Sequence, residues 1–116
     1  MMSGVEVIVG AKRDPQFGPV IMFGIGGVLV DVIRDVSLRI APLTRRDALE
    51  MMHSLKASAI LEGVRGSKPV NFNKLADIIV NVSRLMMKER KIKEIDLNPV
   101  IVSGRTAIVV DVRVIQ

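Results

Sequence analysis

Ile95-Asp96-Leu97-Asn98-Pro99-Val100, with Asp111 a short hairpin downstream, decides how the end of this chain folds. Side chains alternate faces along a strand, so Asp96 and Asn98 point one way while Ile95 and Leu97 pack behind them. The run continues as strand from Glu94 to Leu97 and Val100 to Val102, turns at Ser103-Gly104, and returns from Thr106 to Val114. Two neighbouring strands then aim two carboxylates and a carboxamide at one point. Converging oxygens on a rigid sheet suit Mg²⁺, which takes one or two protein oxygens and completes its shell with phosphates and water. Taken alone, the set also fits turn chemistry, because Asn-Pro starts turns and aspartates solvate hairpins.

Working back from that hairpin, the clearest helix begins near Asn71. Leu75, Ile78, Ile79, Val82, Leu85 and Met86 recur at spacings of three and four, the period of one helical face. Asn71 or Asn73 can cap its start, and Lys88, Arg90 and Lys91 suit its C-terminal end. Thr44 predicts another helix, running to about Lys56, with Asp47 placed as in a capping box and Ala48, Leu49, Met52 and Leu55 on one face. A short helical piece from Ala57 to Leu61 follows, before Gly63 and Gly66 break the chain.

The N-terminal region reads as strands at Val5–Val9, Pro19–Phe23, Val28–Ile33 and Val36–Ile40. Asp14-Pro15, Gly18-Pro19 and Gly24–Gly27 supply the punctuation between them. No connection among these strands is long enough for a crossover helix, so the sheet is expected to be mainly antiparallel. Strands, helices and a closing hairpin in that order give an α+β fold with helices packed on one face of the sheet. Residues 1–116 form one domain.

Composition fits this reading. Hydrophobic residues make up 49% and charged residues 25%, which is globular rather than disordered. Only Phe17, Phe23 and Phe72 are aromatic, so the core is built from Val, Ile, Leu and Met. Cysteine is absent, excluding disulfides and thiolate metal sites. No stretch approaches the roughly 18 apolar residues of a membrane span, and Met1-Met2-Ser3-Gly4 lacks the features of a signal peptide. A cytoplasmic location is expected. The net charge of +5 favours anionic partners.

Three stretches together resemble one family. They are Gly4-Val5-Glu6-Val7-Ile8-Val9-Gly10 with Arg13-Asp14-Pro15-Gln16-Phe17-Gly18-Pro19, then Phe23-Gly24-Ile25-Gly26-Gly27, then Glu94-Ile95-Asp96-Leu97-Asn98-Pro99. In this order they resemble the C-terminal ATP-grasp subdomain of ADP-forming acyl-CoA synthetase β subunits, related to succinyl-CoA synthetase β. The resemblance implies that acyl-CoA, ADP and phosphate are interconverted with free acid, coenzyme A and ATP through a phosphohistidine on a partner. It implies Mg²⁺ and ATP/ADP as ligands, with Asn98 and Asp111 on the metal. Asp96 matches a position that either steadies the phosphohistidine or, in the wider ATP-grasp group, binds metal. Glu6 matches a carboxylate lining the nucleotide cleft, and Gly26 and Gly27 match a glycine turn near the site. The implied partners are an N-terminal ATP-grasp half, which carries the phosphate-binding lysine, and a histidine-bearing, CoA-binding α subunit or domain. With nothing preceding Met1, the chain alone is expected to be inactive.

Other readings compete at particular residues. Gly24–Gly27 fits a bulge or hairpin as well as a phosphate contact. His53 has no companion groups for a triad or zinc site. Arg13 fits a reach towards phosphates or, by default, an exposed turn arginine; Arg65-Gly66 is open to the same two readings, with Gly66 serving chain geometry. Lys88, Arg90, Lys91 and Lys93 lack the aromatic platforms of nucleic-acid-binding folds, which argues against nucleic acid as a partner. The alternative function is a non-catalytic half-domain that oligomerises or docks other proteins, with self-association covering exposed apolar surface.

Overall fold

The computed structural model describes residues 4–26, 35–63 and 68–116. Gly27, the expected strand at 28–33, and Arg65-Gly66 lie outside the described residues. The strands are β1 (Val5–Asp14), β2 (Gly18–Ile25), β3 (Val36–Ile40), β4 (Glu94–Val102), β5 (Ala107–Val109) and β6 (Val112–Ile115). The helices are α1 (Arg45–His53), α2 (Ala59–Glu62) and α3 (Phe72–Lys88). All pairings are antiparallel in the order β3-β2-β1-β4-β5, with β6 also on β4. The α+β architecture follows.

β1 and β2 outrun the sequence expectation because the tight turn lies later than Gly10. Asp14 Oδ1 accepts from the Gln16 N–H at 2.7 Å and the Phe17 N–H at 3.0 Å, and Gly18 takes φ +80°. That aspartate-closed turn sets the β1–β2 register. Gly10 stays within the strand, opposite Met22 on one side and Asp96 on the other.

One face of the sheet meets the helices. Val7, Val9, Ile21, Phe23, Val100 and Val102 are fully buried there with Met51, Met52, Leu75, Ile79 and Met86. Two buried hydroxyls tie the layers together. Ser37 donates to the Met51 carbonyl at 3.0 Å, and Ser83 accepts from the Leu43 N–H at 2.8 Å, so neither is a polar orphan. α1 is shorter than its expected span and ends at the Ser54 cap. Asp35 accepts from the Lys56 and Ala57 N–H groups at 2.9 and 2.8 Å, so the segment after α1 is anchored by that carboxylate. Asn71 caps α3 by accepting from the Lys74 N–H at 3.0 Å.

Arg13 is not an exposed turn residue. Its guanidinium is partly buried and donates to the carbonyls of Met86 (2.9 Å), Glu89 (3.2 Å) and Ile92 (2.9 and 3.1 Å). Its own N–H donates to the Lys93 carbonyl at 3.0 Å. The last turn of a helix leaves carbonyls unpaired and carries partial negative charge, and a planar cationic fork answers both needs. Arg13 thus fixes the segment from α3 into β4.

Two predictions follow from these contacts. Arg13→Met should cost about 2 kcal/mol in urea unfolding and speed amide exchange at residues 89–93 more than in β2. Arg13→Lys should recover less than half of that loss. The second concerns the capping box, in which the Thr44 side chain accepts from the Asp47 N–H while Asp47 accepts from the Thr44 N–H. Those two Thr44 hydrogen bonds, aided by Arg39 and Arg46, lower the Asp47 pKa. A lowered folded-state pKa contributes stability above the unfolded value of about 3.9 and loses it as pH falls through the folded value. Because Asp47 is largely solvated, the effect is small. The stability gap between wild type and Asp47→Asn should therefore be constant above about pH 5 and narrow as pH falls below the unfolded value of about 3.9.

Candidate functional site

Among the described residues the other face of the sheet carries no helix, and the candidate site lies on it. What places polar side chains there is an irregularity between β1 and β4. Val7 pairs with Val100 and Val9 with Leu97, so Ile8 alone faces both Asn98 and Pro99. The Asn98–Pro99 peptide is cis. This two-against-one bulge shifts the alternation of β4 by one residue. Ile95 and Leu97 before it, and Val100 and Val102 after it, are all buried, while Asp96 is half-buried and Asn98 exposed on the open face. The opposed placement of Asp96 and Asn98 against Ile95 and Leu97 is as the alternation predicted.

The expected closing strand is divided into β5 and β6. Both keep one register against β4, with Val100 opposite Val109 and Leu97 opposite Val112. Asn98 therefore stands across from Asp111, and its N–H donates to the Asp111 carbonyl at 3.2 Å. Val110 N–H donates to Pro99 O at 3.0 Å, carrying both strands through the bulge together. The turn is closed by Ser103, whose N–H donates to the Thr106 carbonyl at 2.8 Å and whose hydroxyl accepts from the Arg105 and Thr106 N–H groups.

A shallow cleft of about 640 Å³ runs over this face, with Gly10, Lys12, Met22, Leu38, Asp96 and Asn98 among its walls. Gly10 is what leaves it open. A Cβ there would come no nearer than 3.4 Å to the Ile95 carbonyl, so a larger residue would stand in the cleft beside Asp96. Asp111 is exposed on the outer strand, directly across from Asn98 and outside the residues that line the cleft. Glu6, opposite Ile101, is exposed towards the far end of β1, beyond the cleft wall. Gly26 donates its N–H to the Glu6 carbonyl at 2.6 Å, and a Cβ there would lie 3.1 Å from the same oxygen. That N–H is committed within the chain. Gly27 is outside the described residues.

The donors at Asn98 and Asp111 suit a metal shared with other ligands. Among the described residues no group of three or more Asp, Glu or His converges, so these residues form no all-protein cage. An amide oxygen and a carboxylate held opposite each other leave most of the coordination sphere to other oxygens, which fits Mg²⁺ carried by phosphates.

Two groups on this face were missed by reading the motif alone. Lys12 lies opposite Glu94 and Arg113 lies opposite Asp96, both exposed. Period-two counting from Gly10 and from Asp111 puts each on the open face, so the signal was in the sequence. His53 stacks on Phe72 with ring centroids 4.8 Å apart, in keeping with a structural role.

Comparison with known proteins gives this face a context. A model of the ATP-grasp domain matches residues 1–115. The chain is 56% identical over 112 residues to the β subunit of acetate–CoA ligase (ADP-forming) I from Pyrococcus furiosus, covering 97% of this chain and 48% of that one. It is 44% identical over 114 residues to 4-hydroxybutyrate–CoA ligase (ADP-forming) from Nitrosopumilus maritimus, covering 97% of this chain and 16% of the larger protein. Among solved structures, an acetyl-coenzyme A synthetase from Ca. Korarchaeum cryptofilum superposes with a TM-score of 0.94 at 46% identity, covering 99% of this chain and 54% of that chain. That structure holds coenzyme A and Mg-AMPPCP, with a phosphohistidine segment pointing towards its nucleotide site. The chain spans about half the length of the β-subunit relative it matches. No helix among the described residues is long and apolar enough to cross a membrane. With its fold and nearly its whole length accounted for by one domain model, the chain belongs to the ATP-grasp family.

Proposed function

We propose that this chain is the Mg-nucleotide-binding half of an ADP-forming acyl-CoA synthetase, with Asn98 and Asp111 as its metal ligands. The observation that carries the reading is the direct opposition of Asn98 and Asp111 across one hairpin, beside an open cleft. The solved relative with Mg-AMPPCP supports nucleotide and divalent metal as the ligand class. The metal bound there would neutralise phosphate charge while a phosphoryl group passes between a diphosphate and a phosphohistidine, a largely electrostatic task. As the P–N bond breaks, a P–O bond forms to the terminal phosphate of ADP. Asp96, inside the cleft and next to Asn98 on the same face, is the group that meets the incoming histidine.

Glu6, Gly26 and Gly27 are assigned in this reading to the outer reach of the nucleotide site, past the cleft that Asp96 and Asn98 line. The remainder of the cleft would come from an N-terminal ATP-grasp half, and the histidine from a CoA-binding subunit or domain. Exposed Leu38 in the cleft and Ile40 two residues further along the same face of β3 extend its apolar floor and suit cover by such a partner. A homo-oligomer through the same surface is the competing use. Acid and coenzyme A bind elsewhere, so this chain does not select the acyl group.

Mixing the chain with an N-terminal half and the histidine-bearing subunit should give ADP-dependent ATP synthesis from acyl-CoA and phosphate. None should be seen with the chain alone. Asn98→Ala and Asp111→Ala should each lower the reconstituted rate on the order of a hundredfold without shifting the urea midpoint. Unchanged rates in both variants would remove the metal assignment.

A further inference from the structure

The register of the closing hairpin sorts four polar side chains into two opposed pairs: Asn98 across from Asp111, and Asp96 across from Arg113. All four rise from the open face. On its other flank Asp96 faces Gly10, which has no side chain, so Arg113 is the lateral side-chain neighbour of Asp96. The ion pairs among the described residues are Arg45–Asp77 and Arg46–Glu50; Arg113 and Asp96 are register neighbours that form no ion pair there, so their pairing is left to the ligand-bound site.

The two pairs have different chemistry. Asn98 and Asp111 offer oxygens and one negative charge, which a hard dication accepts. Asp96 and Arg113 sum to zero charge and present a donor fork beside a carboxylate. A fixed cation next to Asp96 opposes a dication there, whereas a planar guanidinium matches phosphoryl oxygens in a bidentate manner.

We propose that Arg113 is a positioning residue of this site, holding Asp96 and an arriving phosphoryl group while keeping Asp96 out of the metal's coordination. The proposal rests on the nucleotide-site reading above, and it decides between the two roles open to Asp96. The metal is left to Asn98 and Asp111. Asp96 then acts towards the histidine, with Arg113 offsetting the repulsion between its carboxylate and the phosphoryl oxygens.

The test is titration of the 116-residue chain with Mn²⁺ alone, read by paramagnetic broadening of β4 and β6 amide signals. In the wild-type chain broadening should centre on Asn98 and Asp111, and Asp96→Asn, which leaves the Arg113 charge unopposed, should weaken binding about fivefold, well short of the loss in Asn98→Ala. Arg113→Met should tighten Mn²⁺ binding about fivefold by removing a unit charge near a dication, and adding Asp96→Asn should cancel that gain. Arg113→Lys, which keeps the charge, should bind Mn²⁺ as the wild type does. With Mn²⁺ present, pyrophosphate should bind more weakly to both Arg113→Met and Arg113→Lys, since neither keeps the fork. The proposal fails if Arg113→Met leaves Mn²⁺ affinity unchanged, or if Asp96→Asn weakens it as much as Asn98→Ala. In either case the metal assignment of Asn98 and Asp111 survives. Absence of broadening at Asn98 and Asp111 in the wild-type chain would instead overturn both readings. Matching urea midpoints and undisturbed β1–β2 chemical shifts control for folding.

Discussion

The bulge at Asn98–Pro99 is the constraint on which the two-faced character of this sheet depends. Without the extra residue, strict alternation would carry the burial of Ile95 and Leu97 on to Pro99 and Ile101, and turn Val100 and Val102 to the open face. A one-residue slip exchanges the two faces of a strand completely. The bulge performs that exchange once, at the point where the candidate ligands stand. The helix layer therefore receives an unbroken apolar surface from β4, and the open face receives Asp96 and Asn98 side by side. Core packing and site geometry are satisfied by the same irregularity.

A second constraint acts at the entry to β4. Arg13 comes from the end of β1, yet its guanidinium gathers carbonyls from the end of α3 and from the segment after it. The central strand, the longest helix and the start of the site strand thus share one fastening. Arginine suits this place because its donors are fixed in a plane and its charge complements the helix terminus. These contacts are structural, although an arginine at a turn beside an open cleft also invites a phosphate-binding reading.

Much of this was legible in the sequence, for physical reasons that differ by element. α3 was clear because Leu75, Ile79, Val82 and Met86 repeat at helical spacing over several turns and all become buried. The capping box at Thr44 and Asp47 was clear because it is local chemistry. The faces of Asp96 and Asn98 followed from strand alternation. What sequence could not supply was long-range. The partners of Arg13 lie 73 to 79 residues away, and no local pattern encodes them. β1 was cut short at Val9 because a glycine reads as a breaker, whereas Gly10 is held in the ladder from both sides. Arg113 was overlooked since its importance comes from what it faces across the hairpin.

The opposition of Asn98 and Asp111 is itself set locally. Asn98 and Asp111 belong to a single hairpin, and the residue that opposes Asn98 is chosen by the length of the turn that Ser103 closes. The helix layer can therefore be repacked, as core substitutions accumulate, without altering which side chain meets Asn98. The turn has no such freedom. Adding one residue there would bring Val110 across from Asn98 if β4 kept its place, and would turn the whole return strand over. Tolerance to change in this domain is thus inverted from the usual expectation: the buried layer can drift, while a small, solvent-exposed loop far from the cleft must keep its length.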